Sequence, residues 1–144
     1  MKIKFKRLSP GAQTPQRMST HASGFDLFAN CLDSISLAPG DRAKVSTGFA
    51  IEIPAGYEAQ IRPRSGMALK HGIGVLNSPG TIDADYRGEV CVILINLSSE
   101  PFTISNGMRI AQMVISQVLM VELEECDELN TTARHDGGFG HTGA

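Results

Sequence analysis

The sequence predicts an all-β fold, a barrel or sandwich of jelly-roll type, with one short helix and a flexible C-terminal arm. Three observations carry this. Apolar residues alternate with polar ones over stretches of only a few residues, which is the period of a strand. Glycine and proline turns separate these stretches at close intervals. A single segment, Ser65-Gly66-Met67-Ala68-Leu69-Lys70-His71, reads as helical, and it is long enough for barely two turns.

The elements follow in order. Ile3 and Phe5 alternate with lysines as a half-buried strand, and residues 9–22, with Pro10, Gly11 and Pro15, read as a loop. Ile35-Ser36-Leu37 runs into the turn Ala38-Pro39-Gly40-Asp41. Residues 44–53 favour β structure, closed by Pro54-Ala55-Gly56, and Tyr57, Ala59 and Ile61 alternate with polar residues up to Pro63. The helix has Ser65 as a candidate N-cap and Gly72 as a candidate C-cap. Residues 74–88 lie between strand-like stretches and are expected to form a tight hairpin. The run 90–97 is apolar on both faces, so it is expected to be covered on both sides, as core or as a subunit contact. Phe102 to Ile104, the turn Asn106-Gly107 and residues 109–121 are expected to complete a second hairpin. Residues 122–128 are acidic and mark the exit to the arm. The division expected is a β domain over 1–128 and an arm over 129–144.

At 144 residues the chain has the size of one domain. Hydrophobic residues make up 42% and charged residues 19%, a balance that suits a packed core rather than disorder. There is no Trp, so the core is aliphatic. The net charge of −2 provides no global field for polymeric nucleic acid, whereas a single nucleotide needs only a local cluster of positive charge. Cys31, Cys91 and Cys126 are widely spaced, with no C-x-x-C, which argues against a disulfide framework or a zinc knuckle. Cys91, inside an apolar run, reads as a small buried hydrophobe. No apolar run reaches about 18 residues and no secretory leader is apparent. The expectation is a cytoplasmic protein with no membrane partner.

Five segments carry residues suited to chemistry. The tail Arg134-His135-Asp136-Gly137-Gly138-Phe139-Gly140-His141-Thr142-Gly143 holds a guanidinium, a ring and a hydroxyl among glycines. Those groups suit a phosphate and a flat base, as an arm that orders on closing. The plain alternative is a frayed glycine-rich terminus. In Arg62-Pro63-Arg64-Ser65-Gly66, two arginines precede a serine at a helix start, a place that favours anions. Its alternative is a capped helix with surface arginines. The stretch 77–88 offers Asn77 for the edge of a base, and Asp83 and Asp85 on one face of an extended segment for a metal or a water. Tyr86 beside them suits a sugar. An Asp-rich turn with a core Tyr is the ordinary reading. In Arg109-Ile110-Ala111-Gln112-Met113, Gln112 is either a solvent-facing amide or a phosphate ligand. In Ala22-Ser23-Gly24-Phe25-Asp26-Leu27, Asp26 by itself reads as a loop residue. The four histidines have no metal spacing, and no P-loop or nucleophile elbow is present.

Together and in this order, these five segments, spanning residues 22–143, resemble the trimeric dUTPase family. The resemblance implies a jelly-roll-like (β-clip) homotrimer with three shared active sites. One subunit gives the phosphate-side motifs, a second the base-binding hairpin and a third its arm. It implies hydrolysis of dUTP to dUMP and pyrophosphate by Mg²⁺-assisted water attack on the α-phosphate, which limits uracil in DNA and supplies dUMP for dTMP synthesis. On the matching positions, Asp83 is the carboxylate that activates the water, and Tyr86 packs under deoxyribose. Asn77, with the Gly80, Thr81 and Ile82 backbone, reads uracil. Arg64, Ser65, Gly66 and Gln112 bind the phosphate chain, and Asp26 holds metal-bound water. From the arm, Arg134 and Thr142 reach phosphates, while Phe139, followed by Gly140, stacks on the base. One departure stands out: the family has glycine after the arm's arginine, and this chain has His135. A deaminase acting on dCTP shares the fold but needs a glutamate at the base and lacks this arm. A non-catalytic nucleotide switch would not need Asp83.

Overall fold

The computed structural model describes residues 1–138. Eleven strands and one helix form among them: β1 Lys4–Arg7, β2 Gly24–Phe28, β3 Ile35–Leu37, β4 Arg42–Ser46, β5 Phe49–Glu52, β6 Tyr57–Arg62, α1 Ser65–His71, β7 Ile73–Val75, β8 Gly80–Ile82, β9 Cys91–Asn96, β10 Phe102–Ile104 and β11 Arg109–Gln117. All pairings between these strands are antiparallel. They make four open sheets, β2-β11-β6-β8, β4-β9-β7, β1-β5 and β10-β3. The all-β class with one helix is as the sequence predicts.

The core is aliphatic around Phe49, with Leu27, Val45, Ile61, Val92, Leu94, Ile104 and Ile110 almost wholly buried. Each such side chain contributes about 1.5–3 kcal/mol by leaving water. Two polar side chains are buried with them, Thr47 and Asn96. The Asn96 amide donates to the Leu37 and Glu100 carbonyls at 2.9 and 2.8 Å and accepts from the Ser98 amide and hydroxyl at 2.9 and 2.8 Å.

Several local expectations are corrected. Phe102–Ile104 does not pair with the following strand but with β3, and β11 lies between β2 and β6. The cause is the Asn106-Gly107 turn. Gly107 at φ 76° donates to the Ala29 carbonyl, and Ala29 donates back to Met108, so the chain crosses to another sheet. Residues 74–88 are likewise no ladder hairpin: β7 pairs with β9 and β8 with β6, so the intervening loop bridges two sheets. Asp26 lies inside β2 rather than in a loop. Arg64, in extended conformation, caps α1 without a side-chain bond, and Ser65 is the first helical residue. Gly72 closes the helix in the left-handed region (φ 64°) as expected. In β9, Val92, Leu94 and Asn96 are buried, while Cys91, Ile93 and Ile95 are only half-buried, so this chain covers one face of the run and leaves the other partly open. β11 ends at Gln117, and residues 118–138 contain no helix or strand.

Candidate active site

The outer face of the sheet β2-β11-β6-β8 gathers the polar residues of three segments. Asp26, Gln112 and Arg62 are register partners across three neighbouring strands, so their side chains emerge on the same face. Asp26 Oδ2 pairs with Arg64 Nε and with Arg109 Nη1, each at 3.2 Å. Arg64 Nη1 also donates to the Arg109 carbonyl at 2.9 Å, so one guanidinium ties the start of α1 to both β2 and β11. Gln112 Nε2 donates to the Pro63 carbonyl at 3.0 Å. Gly24 makes room for it: a β-carbon at 24 would stand 2.8 Å from Gln112 Oε1. Ser65 and Gly66 follow at the first turn of α1, where backbone amides have no acceptor within the helix. The space above Gly66 is open.

The loop that bridges the two sheets forms a second group. A small cavity of about 80 Å³ lies among Asn77, Gly80, Thr81, Ile82 and Cys91, with Ile61 and Val75 at its floor. Gly80 lets the Asn77 amide fold over it, since a β-carbon there would come 3.2 Å from Asn77 Nδ2. The Cys91 thiol is half-buried rather than buried, and desolvation together with the nearby Glu89 pushes it above the ordinary thiol range.

Asp83 directly follows β8 and is exposed. Its carbonyl accepts from the Tyr86 amide at 3.2 Å, so Ala84 and Asp85 form a turn and the two carboxylates do not share an extended face. Arg87 clamps that turn by donating to the Ala84 and Tyr86 carbonyls at 2.6 and 2.9 Å. Tyr86 Oη donates to the Glu89 carbonyl at 3.0 Å. The Glu89 carboxylate accepts from the Gly48 amide at 2.7 Å, which anchors the loop on the turn between β4 and β5.

A family model described as dUTPase matches residues 11–143. The chain belongs to the dUTPase family. It is 59% identical to the deoxyuridine 5'-triphosphate nucleotidohydrolase of Hydrogenobaculum sp. (strain Y04AAS1), covering 99% of each chain. It is 56% identical to the enzyme of that name from Wolinella succinogenes, covering 99% of this chain and 95% of the relative. Among solved structures, the Staphylococcus bacteriophage 80alpha dUTPase with dUpNHpp superposes with a TM-score of 0.90 at 26% identity, over 99% of both chains.

Within this dUTPase-family chain the residues singled out from sequence fall into two groups. Asp26, Arg64 and Gln112 gather on one sheet face beside Ser65 and Gly66. Asn77, Gly80, Thr81 and Ile82 line the cavity, with Asp83 and Tyr86 on the segment that follows. Among the described residues no hydrogen bond or ion pair links Asp83 or Tyr86 to the first group. Arg134 is exposed and folds back on its own turn, donating to the Gly137 carbonyl at 2.7 Å. Phe139, Gly140 and Thr142 lie outside the described residues. Two participants were not assigned from sequence. Arg109 is the second cation on Asp26, and Glu89 is the anchor of the Tyr86 loop. Both act through partners 41 or more residues away in the chain, which no local pattern reveals.

Proposed function

We propose that the chain hydrolyses dUTP to dUMP and pyrophosphate. The observation that carries this reading is the small cavity bordered by Asn77 and the β8 backbone, continued in the chain by the exposed carboxylate of Asp83. Uracil fits such a cavity edge-on: the Asn77 amide and the backbone of Gly80, Thr81 and Ile82 supply donors and acceptors for a base. Tyr86, fixed through Glu89, packs against the sugar. Asp83 orients a water and takes its proton as the water's oxygen bonds to the α-phosphorus. The bond from that phosphorus to the bridging oxygen breaks, and pyrophosphate leaves. Ser65, Gly66, Gln112 and Arg64 hold the phosphate chain, with Arg134, Thr142 and the Phe139-Gly140 segment closing over it from the arm formed by residues 129–144.

Mg²⁺ fits as a companion of the triphosphate. Among the described residues no three His, Cys, Asp or Glu side chains cluster to hold an ion. Asp26 directs only Oδ2 at its two arginines, which leaves Oδ1 to accept from a water on the ion. An ion held there through water would withdraw charge from the phosphate oxygens.

The working form is a homotrimer with shared sites. Supporting this, Leu97 just after β9 and Leu119, Met120, Val121 and Leu123 beyond β11 are largely exposed in one chain, and apolar surface of that extent calls for a partner. The role is housekeeping of the nucleotide pool in the cytoplasm, keeping uracil out of DNA and supplying dUMP for dTMP synthesis. Incubation with dUTP, dCTP, dTTP and UTP in Mg²⁺, followed by pyrophosphate and ammonia assays, tests the reading. Pyrophosphate from dUTP alone is expected. Ammonia from dCTP, or silence on all four, overturns it.

A further inference from the structure

Three arginines border the outer sheet face, but they are not equivalent. Arg64 and Arg109 share the Asp26 carboxylate. Arg62 has no carboxylate within ion-pair distance among the described residues. Its Nε and Nη2 both donate to the neutral Gln60 Oε1, at 3.0 and 2.5 Å, and Gln60 in turn donates to Glu58 at 2.6 Å. Residues 58, 60 and 62 alternate along β6, so this relay runs up one face of the strand and holds the guanidinium in place without cancelling its charge. Three guanidinia against Asp26 and, at the far end of the relay, Glu58 leave the face with a surplus of one positive charge.

Position adds to charge. Arg62 stands directly across from Gln112, which stands across from Asp26, and the row spans two strand spacings, about 10 Å. Arg62 is exposed and lines an open cleft of about 470 Å³ with Gln60, Pro63, Gln112 and the Ser78-Pro79 step of the base loop. A planar guanidinium with free N–H groups, pre-oriented at such a cleft, is matched to phosphate oxygens.

We propose that Arg62 is a binding residue for the outer, β and γ, end of the nucleotide's phosphate chain, reached past Gln112. This inference rests on the reading that the chain binds dUTP. The residue contributes affinity for the triphosphate and nothing for the monophosphate.

Calorimetric titration of the full chain with α,β-imido-dUTP and with dUMP, both in Mg²⁺, tests it. In Arg62→Gln the imido triphosphate is expected to bind roughly tenfold more weakly or worse, the worth of a charge-assisted hydrogen bond, while dUMP affinity stays unchanged. Arg62→Lys should recover part of the loss. Gln60→Glu, which would set a carboxylate against Arg62, should weaken the triphosphate selectively as well. Equal losses for both ligands, or no loss for either, overturn the proposal. If the unsubstituted chain binds neither nucleotide, the dUTP reading itself falls and takes this one with it; if it binds both and Arg62→Gln fails to discriminate, only Arg62 falls.

Discussion

The ring of Tyr86 lies against Gly88 so closely that a β-carbon at 88 would overlap the phenol oxygen and its ring carbon. Gly88 is therefore a spacer that lets the tyrosine reach the Glu89 carbonyl. Gly88→Ala should swing the ring away from the sugar and lower kcat/KM for dUTP by about tenfold, the scale of a misplaced positioning group. Steady-state kinetics on the purified variant decide it, and wild-type kinetics would mean that the tyrosine's place does not matter.

Asp83 is exposed in the single chain and free to meet a water. Asp83→Asn keeps the shape and removes the base. A fall in kcat of about 10²–10⁴ is expected, with dUTP still bound. Paired turnover and binding measurements separate the two effects. Retained turnover would remove Asp83 from the chemistry.

Asp26 bridges Arg64 and Arg109 through one oxygen. Asp26→Asn leaves two guanidinia repelling each other beside the phosphate-side residues. Because the arginines are partly exposed, the stability loss is held to about 1–2 kcal/mol. Activity should fall further than stability, and chemical denaturation beside kinetics would show the difference.

Asn96 joins β9 to the end of β3 and to the turn at Ser98–Glu100 through four hydrogen bonds, three of them to backbone groups. Asn96→Leu would bury those backbone groups without partners. We expect a loss of about 3 kcal/mol, read as a lower denaturant midpoint at unchanged slope. An equally stable variant would mean that the turn reaches water instead.

His135 occupies the left-handed region at φ 49°, the one residue other than glycine to do so among those described. A β-carbon in that conformation costs about 1–2 kcal/mol. His135→Gly should relieve the arm and change kcat by no more than a few-fold. A change on the order of 100-fold, about 2.7 kcal/mol, would show that the imidazole itself takes part.

Local chemistry was legible in the sequence, and long-range pairing was not. The helix Ser65–His71 and its Gly72 stop were readable because periodicity and a glycine C-cap are local signals, whereas the N-cap falls on Arg64 and not on Ser65. Alternation marked β1 and β6, whereas β2 was not read as a strand. The partner of Phe102–Ile104 was not legible, since nothing near it encodes a match to residues 35–37. The candidate site divides in the same way. The family resemblance pointed to Asp26, Arg64 and Gln112. Their mutual contacts, and the entry of Arg109, arise from register between strands far apart in the chain. The Asn96 network escaped notice for a related reason: an asparagine in an apolar run looks like a strand end until the carbonyls around it are visible.

The loop from Leu76 to Pro79 joins strands of two different sheets, so its tip has no frame of its own. The cavity below this loop is floored by buried side chains of both sheets, Ile61 from one and Val75 and Val92 from the other. If uracil sits in this cavity as proposed, room for a 5-methyl group is expected to depend on core volume. A methylene trimmed from the interior would be felt as tolerance for thymine before it was felt as unfolding, which makes substrate choice a sensitive gauge of how well the middle of the molecule is filled.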